Sequence, residues 1–268
     1  MNQISSSAKI GRNVNIGFFT VIMDDVEIGD NSVIGNHVII YPNTIIGAGV
    51  RIDDGAVLGK LPMRAVNSTL KLYATLPPAI IGAGSIIGTY GIVYRGAKLD
   101  EGVMVADGAS VREGTSIGQH TIIGRSVTVE NSSYVGEYCK IETGAYITAY
   151  SHIEDHVFVA PGVVTANDNF AGRTKDRSKY YRGVTVEQGG RIGAQATILP
   201  GKVIGADGFV GAGSVLTHDA DSGMVYMGNP AKKLRPVPEA ELLKNQDYME
   251  EKDHAQKGSN DSFKRIQE

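Results

Sequence analysis

The sequence has no tryptophan, a single cysteine and only 7% aromatic residues among 268. One cysteine excludes an intrachain disulfide and a cysteine-based zinc cluster, and we expect Cys139 to be a core thiol. No apolar run is long enough to span a membrane, and no signal-peptide pattern is present, so we expect a cytoplasmic protein without a membrane partner. A net charge of −3 gives no support for a nucleic-acid partner.

Instead, nearly every sixth residue is Ile, Val or Leu. A period of six fits neither a helix, which repeats at 3.6, nor an ordinary strand, which repeats at 2. A hexapeptide repeat predicts an all-β fold, a parallel β-helix in which three hexads make one triangular coil. Thirty register positions give about ten coils, roughly 48 Å tall at 4.8 Å per coil. They run from Ile10 to Leu58, from Ile81 to Thr165 and from Val186 to Leu216.

Two breaks in the repeat predict loops extruded from the coil, at about residues 60–79 and 166–183. Loops on a rigid scaffold are common places for binding groups, and the second loop is rich in Lys and Arg. We expect the β-helix domain to span residues 1–237. Residues 238–268 are predicted to form a C-terminal helix, over 238–253, followed by a flexible tail, since Pro238 suits the first turn of a helix.

Several motifs resemble a known superfamily. ATILPG (196–201), VGAGSV (210–215) and GNPAKK (228–233), together with the hexads, resemble the left-handed β-helix acyltransferases. GRSVTVEN (124–131), KIETGAYITAYS (140–151) and VFVAPGVVTANDN (157–169) resemble the nucleotide-linked amino-sugar N-acetyltransferases. The layout with two inserts is most similar to the dTDP-3-amino-3,6-dideoxyhexose N-acetyltransferases.

The resemblance implies a left-handed coil, a homotrimer and active sites in the clefts between subunits. It implies acetyl-CoA as co-substrate, a nucleotide-linked amino sugar as acceptor, and a product used for surface polysaccharide. In this family the pantetheine arm of CoA contacts small residues of the C-terminal coils, and its phosphates meet basic residues near the tail. The matching positions are Gly193, Ala194, Gly211, Ala212, Lys232, Lys233 and Arg235.

Acyl transfer to an amine requires a positioned amine and a proton acceptor. Glu142, in the KIETGAY motif, is the first candidate base, although other acids occupy the same hexad position. His156 and His120 are the second, because imidazole titrates near neutral pH. They are 36 residues, or two coils, apart, and Tyr138 falls between them in the same column.

A third alternative needs no protein base. The resemblance implies that in some of these enzymes the CoA sulfur takes the proton, while the protein only orients the amine. Asn167, Asp168 and Asn169, where the second insert leaves the coil, are then the candidate orienting groups. Tyr94, Arg95, His120 and Arg125 are candidate contacts for the sugar nucleotide, because arginine binds pyrophosphate in bidentate fashion.

Three other readings remain open. In the first, the protein is still an acyltransferase, but its acceptor is a different amine or a hydroxyl, such as a UDP-amino sugar or an amino acid-like molecule. Alternatively, the chain is a β-helix carbonic anhydrase, which binds zinc through histidines, but no third ligand joins His120 and His156 and we assign no metal site. Finally, the prism is a non-catalytic structural protein, which predicts no CoA binding.

Overall fold

The computed structural model describes residues 1–66, 68 and 75–246. The chain winds into a left-handed parallel β-helix, which confirms the expected all-β fold. Three parallel sheets form the sides of the prism, and we name them A, B and C in the order in which the chain visits them. They contain 11, 10 and 12 strands.

Most strands are two residues long, and the second residue points inward. Sheet A comprises Gln3–Ile4, Val21–Ile22, Ile39–Ile40, Val57–Lys60, Ile92–Tyr94, Ser110–Val111, Thr128–Val129, Tyr146–Ile147, Val164–Thr165, Thr197–Ile198 and Val215–Leu216. Sheet B comprises Lys9–Ile10, Glu27–Ile28, Ile45–Ile46, Ile80–Ile81, Lys98–Leu99, Ser116–Ile117, Tyr134–Val135, His152–Ile153, Thr185–Val186 and Val203–Ile204. Sheet C comprises Asn15–Ile16, Val33–Ile34, Arg51–Ile52, Ile86–Ile87, Met104–Val105, Ile122–Ile123, Lys140–Ile141, Phe158–Val159, Arg191–Ile192, Phe209–Val210, Met224–Gly228 and Ala231–Pro236.

The core is the column of inward aliphatic residues that the period of six predicts. Val135 and Ile153, for example, are fully buried and belong to adjacent strands of sheet B. Among the register positions of the repeat from Ile10 to Leu216, Thr165 is the one that is not a large aliphatic residue, and it is 1% exposed. Its Oγ1 donates to the Tyr146 carbonyl at 3.0 Å and accepts from the Thr148 amide at 2.8 Å. The buried hydroxyl is therefore satisfied, as burial in an apolar core requires.

Both inserts leave the prism at the same corner. The first lies between Val57–Lys60 and Ile80–Ile81, and the second between Val164–Thr165 and Thr185–Val186. Each of these pairs joins sheet A to sheet B. We name this edge corner AB, and name the other two edges corners BC and CA. Within the second insert, Arg177–Tyr180 forms a 3-10 turn.

The predicted C-terminal α-helix is wrong for the described part of its span. Residues 238–246, which we call the strap, contain two 3-10 turns, Glu239–Glu241 and Leu243–Asn245. Leu242 between them is extended, with φ −69° and ψ 144°, so helical hydrogen bonding cannot continue through it. The strap instead takes partners on the coil, since the Leu243 amide donates to Asp207 Oδ1 at 2.8 Å. The rest of the predicted helix lies outside the described residues.

The last two strands form an antiparallel hairpin, Met224–Gly228 with Ala231–Pro236, which ends sheet C. It contains the GNPAKK motif. Along the described stretches, no helix combines the length and apolar character needed to cross a bilayer.

Candidate functional site

Corner CA brings together six of the residues predicted to form the site. Backbone hydrogen bonds run from one coil to the next along this edge, for example from the Gly124 amide to the Ile141 carbonyl and from the Gly193 amide to the Val210 carbonyl. The edge is therefore one continuous column. It carries Arg125, Glu142, Gly193, Ala194, Gly211 and Ala212, and the step from Glu142 to Gly211 is three coils, or about 14 Å.

The glycines of this column have a packing role of their own. A Cβ on Gly193 would lie 2.5 Å from the Ala212 nitrogen and 2.8 Å from the Gly211 carbonyl carbon. The same tight approach occurs at Gly35, far from the C-terminal coils. Coil stacking alone therefore accounts for glycine at position 193, and the exposed Ala212 is the more distinctive feature.

The C-terminal hairpin places basic residues at the end of corner CA. Lys232 pairs in register with Met227, and the Met227 side chain lies over Gly211. Lys233 Nζ binds Asp221 Oδ2 at 2.9 Å, and this contact raises the pKa of Lys233 and lowers that of Asp221. Arg235 donates to the Pro236 carbonyl at 3.0 Å. Of the three predicted phosphate contacts, strand pairing thus places Lys232 beside the small-residue column. The Lys233 ammonium is instead directed to Asp221, which follows the bridge between Ala220 and Ile204 of sheet B and lies toward corner BC.

The two candidate histidines lie on another edge, corner BC. The Tyr138 ring lies between them, with centroids 5.1 Å from His120 and 5.3 Å from His156. The predicted shared column is therefore confirmed. Glu142 and His156, the two candidate bases, lie on different corners of one prism.

A positive φ at these histidines is not a sign of a strained active site. His120 and His156 have φ values of 56° and 57°. Asn31 and Tyr138, at equivalent corners, have φ values of 60° and 55°. The left-handed conformation therefore belongs to the corner itself, where Asn and His are tolerated better than most residues.

His156 lines a pocket of about 190 Å³ that the strap closes. Sheet C contributes Phe158 and Arg191, and the strap contributes Glu241. Arg191 Nη1 binds Glu241 Oε2 at 2.8 Å. Gly189, Asp207, Ala240, Leu243 and Gln246 complete the lining.

Asn167, Asp168 and Asn169 lie at corner AB, where the second insert begins. Asp168 accepts from the Phe170 amide at 2.8 Å and from the Gly172 amide at 3.0 Å, and its carboxylate is 3.6 Å from Arg177. These bonds order the insert itself, as an Asp at the start of a turn commonly does. Asn167 accepts from the Arg182 amide through its carbonyl, and Asn169 is exposed.

Tyr94 and Arg95 also lie at corner AB, four coils earlier. Arg95 Nε donates to the Leu76 carbonyl at 3.1 Å, and Nη1 donates to the Pro42 carbonyl at 2.8 Å. These bonds tie the first insert to the coil. Tyr94 is 8% exposed, with the Arg112 guanidinium 4.9 Å from its ring centroid.

A buried ionic cluster beside Tyr94 was missed by the sequence reasoning. Arg112 binds Glu113 through both Nε (2.8 Å) and Nη2 (3.1 Å), and its Nη1 lies 3.3 Å from Glu130. The pKa of Arg112 is raised overall. Burial lowers it, but the hydrogen bond to Glu113 and the charges of Glu113 and Glu130 raise it by more. A signal was present, because Tyr94, Arg112 and Glu130 are spaced by 18, the length of one coil.

No metal site emerges from the described residues, which contain no group of three His, Cys, Asp or Glu side chains arranged to hold an ion. Cys139 is fully buried, and its Sγ lies 3.0 Å from the Glu154 carbonyl. Burial raises the pKa of this thiol to about 12, which leaves it protonated and a poor nucleophile at neutral pH.

Three stretches of the chain match models of transferase repeats. Residues 7–41 match the bacterial transferase hexapeptide (six repeats), and residues 114–149 and 183–218 match the hexapeptide repeat of succinyl-transferase. Galactoside O-acetyltransferase of Escherichia coli is 31% identical over 86 residues, which cover 31% of this chain and 42% of the relative. The 2,3,4,5-tetrahydropyridine-2,6-dicarboxylate N-acetyltransferase of Staphylococcus aureus is 36% identical over 63 residues, which cover 24% and 26%.

The chain therefore spans less than half the length of these curated relatives. Two solved structures share the fold over most of both chains. Arabidopsis UDP-N-acetylglucosamine acyltransferase has a TM-score of 0.61 at 18% identity, covering 94% of this chain and 78% of that one. The Bacteroides fragilis enzyme of the same name has a TM-score of 0.51 at 21% identity, covering 88% and 73%. The repeat matches and the relatives show that this chain is similar to hexapeptide-repeat transferases.

Proposed function

We propose that this protein is an acetyl-CoA-dependent N-acetyltransferase that acts on the 3-amino group of a dTDP-linked 3-amino-3,6-dideoxyhexose. The product would serve surface polysaccharide, O-antigen or S-layer glycan synthesis. In this proposal the enzyme acts in the cytoplasm. The observation that carries it is corner CA, where Glu142 of KIETGAY and the exposed Ala212 share one edge that ends beside Lys232. The acetyltransferase relatives support the donor class.

In this proposal acetyl-CoA lies along corner CA, with its phosphates toward the hairpin and its thioester toward Glu142. The neutral amine nitrogen attacks the thioester carbonyl carbon, an N–C bond forms and the C–S bond breaks. The amine proton leaves through Glu142, or passes directly to the departing thiolate, which becomes CoA thiol. Holding both reactants in line supplies much of the rate enhancement in either case.

Glu142 is the favoured proton acceptor on one prism, because it shares an edge with the donor column and His156 does not. A trimer whose clefts join corner CA to a neighbouring subunit's corner BC would make His156 the base. A trimer packed through sheet A joins corner CA to corner AB instead and leaves Glu142 as the base. In both arrangements the proposed contacts with the sugar nucleotide are His120, Arg125, Asn167, Asp168 and Asn169. Tyr94 and Arg95 support that surface by holding the first insert.

The proposed homotrimer has a suitable contact face. The first residue of each sheet A strand points outward, and none of the eleven is charged. The outward rows of sheets B and C include charged residues such as Lys9, Glu27 and Arg51. An uncharged face along the prism suits packing against further copies of the chain, and closed cyclic symmetry makes the clefts equivalent.

The test is thiol release from acetyl-CoA with a panel of dTDP- and UDP-linked amino sugars, together with light scattering of the purified protein. Fast turnover with a dTDP-3-amino-3,6-dideoxyhexose by a trimer is the expected result. Turnover only with a UDP-amino sugar or an amino acid-like amine would keep the N-acetyltransferase reaction but replace the proposed acceptor. Neither thiol release nor CoA binding with any acceptor would reject the enzyme and favour the non-catalytic prism.

A second candidate is acetyl transfer to a hydroxyl. The similarity to galactoside O-acetyltransferase favours including it. Galactosides belong in the same panel, and the faster acceptor class identifies the reaction.

A further inference from the structure

The pocket under the strap has a floor of aromatic and charged side chains and a roof that comes from the C-terminal segment. Phe158 and His156 line the pocket from the coil, and Leu243 of the strap lies over Gly189. Only two described polar contacts tie the roof to the floor: Leu243 to Asp207, and Glu241 to Arg191. Within residues 238–246, these two contacts join the roof to the coil.

Arg191 is incompletely satisfied in this closed arrangement. Its guanidinium carbon lies 4.9 Å from the Phe209 ring centroid, and Nη1 binds Glu241. Nε and Nη2 are buried, and neither has a hydrogen-bond acceptor among the described residues. A buried N–H without an acceptor is unfavourable, so the closed strap leaves binding capacity unused at Arg191.

The unused edge of Arg191 is the one that binds carboxylates elsewhere in this chain. Nε and Nη2 form the side-on fork of the guanidinium, which matches the two oxygens of a carboxylate or phosphate. Three other arginines use both atoms of this fork to bind an acid: Arg12 with Asp30, Arg51 with Asp53, and Arg112 with Glu113.

We propose that Arg191 is the anchor of an oxyanion-binding site under the strap, and that the Glu241 carboxylate, bound at Nη1, competes with a ligand for this guanidinium and is displaced by it. The ligand carries a carboxylate or a phosphate that engages the free fork of Arg191. A volume of about 190 Å³ holds a molecule of roughly one ring, since an apolar cavity of about 150 Å³ accepts benzene. Phe158 and Leu243 offer an apolar wall to such a ring.

Two probes separate the two ligand chemistries, and both are titrated calorimetrically into the full chain. Benzoate carries a carboxylate on one ring, and inorganic phosphate is the bare tetrahedral anion. Glu241→Gln removes the internal carboxylate and is expected to tighten binding of at least one probe about tenfold. Arg191→Lys keeps the charge but lacks the fork, and is expected to weaken the same probe at least tenfold.

Glu239→Gln is the matched control, because Glu239 lies on the same strap but binds Lys244 rather than Arg191. Its affinity for either probe is expected to stay within about twofold of the wild type. If both strap variants bound a probe more tightly by the same factor, the cause would be a general weakening of the contacts between the strap and the coil. That result would overturn the proposed displacement of Glu241. Tighter binding of benzoate assigns the site to carboxylates, and tighter binding of phosphate assigns it to phosphates.

Hydrogen exchange provides a readout that does not depend on the Arg191 variant folding well. The Leu243 amide donates to Asp207 in the closed strap and is expected to exchange faster when a probe is bound. Unchanged exchange at saturating probe, or no binding of either probe by wild type and Glu241→Gln, rejects the proposal. Because binding is measured without turnover, this result is separate from the proposed acetyl transfer.

Discussion

Glu142 lies on corner CA and His156 lies on corner BC, so the two candidate bases are separated by a full side of the prism. Within one chain, only Glu142 adjoins the column of Gly193 and Gly211. His156 instead stacks on Tyr138 and faces the pocket under the strap. A donor bound along corner CA therefore meets His156 only if a neighbouring subunit supplies it.

Because the two candidate bases lie on different corners, substitutions can test each of them separately. Glu142→Gln is expected to lower kcat about 100-fold or more if the carboxylate accepts the proton, and less than about tenfold if the CoA sulfur does. The measurement of kcat is steady-state thiol release at saturating acetyl-CoA. Asp100→Asn is the control, because Asp100 holds the same hexad position on corner BC and pairs with the exposed Lys98. A larger loss in His156→Gln than in Glu142→Gln would instead assign the base to the partner's edge.

The Arg112 cluster is expected to dominate local stability. Removing the guanidinium in Arg112→Met leaves Glu113, 4% exposed, without its bidentate partner, which costs about 3–5 kcal/mol for a buried pair. Arg12→Met breaks a similar fork at the surface, where solvent screening leaves an ion pair with little effect on stability. Urea unfolding of both variants measures the contrast, and similar losses would show that burial does not set the cost.

Cys139 is expected to couple stability to alkaline pH. Burial raises the folded-state pKa to about 12, so above its ordinary value the unfolded chain loses a proton that the folded chain retains. Stability is then fully present below the unfolded pKa and declines as pH rises toward 12, by up to about 1.4 kcal/mol per pH unit. Cys139→Ala should flatten this decline relative to the wild type. Parallel curves for the two proteins would place the titrating groups elsewhere, for example at the tyrosines.

Arg95 is expected to protect the first insert from proteolysis. Arg95→Ala removes the bonds to the carbonyls of Leu76 and Pro42, so the insert opens more often while the coil stays folded. Limited trypsinolysis should cut near Arg64 several-fold faster, with an unchanged melting temperature. A variant such as Lys98→Ala, whose side chain is exposed on sheet B, is the control for lost charge.

The repeat made most of the fold predictable, because a strict period of six defines both the inward column and the corners. It also placed His120, Tyr138 and His156 in one column, which the ring contacts confirm. The strap was predicted wrongly because its conformation depends on Asp207 and Arg191, contacts of 36 and 50 residues' separation. Helical propensity carries no information about such partners.

The site was less predictable than the fold for a related reason. Hexad phase gives the corner on which a residue lies, but not which hydrogen bonds its side chain makes there. Arg95 was assigned to a pyrophosphate by residue type alone, whereas its donors bind two backbone carbonyls. Similarly, both carboxylate oxygens of Asp168 accept hydrogen bonds from backbone amides of the turn that follows it.

The shared exit of both inserts at corner AB has a consequence for how this chain tolerates added length. A residue added inside a strand would shift every later side chain from the core to the surface, because successive side chains alternate. Extra residues are accommodated only between strands, and along corner AB they project away from sheet C. That edge is thus the natural place to graft a tag or a foreign loop, while the opposite side of the prism keeps its uninterrupted outline.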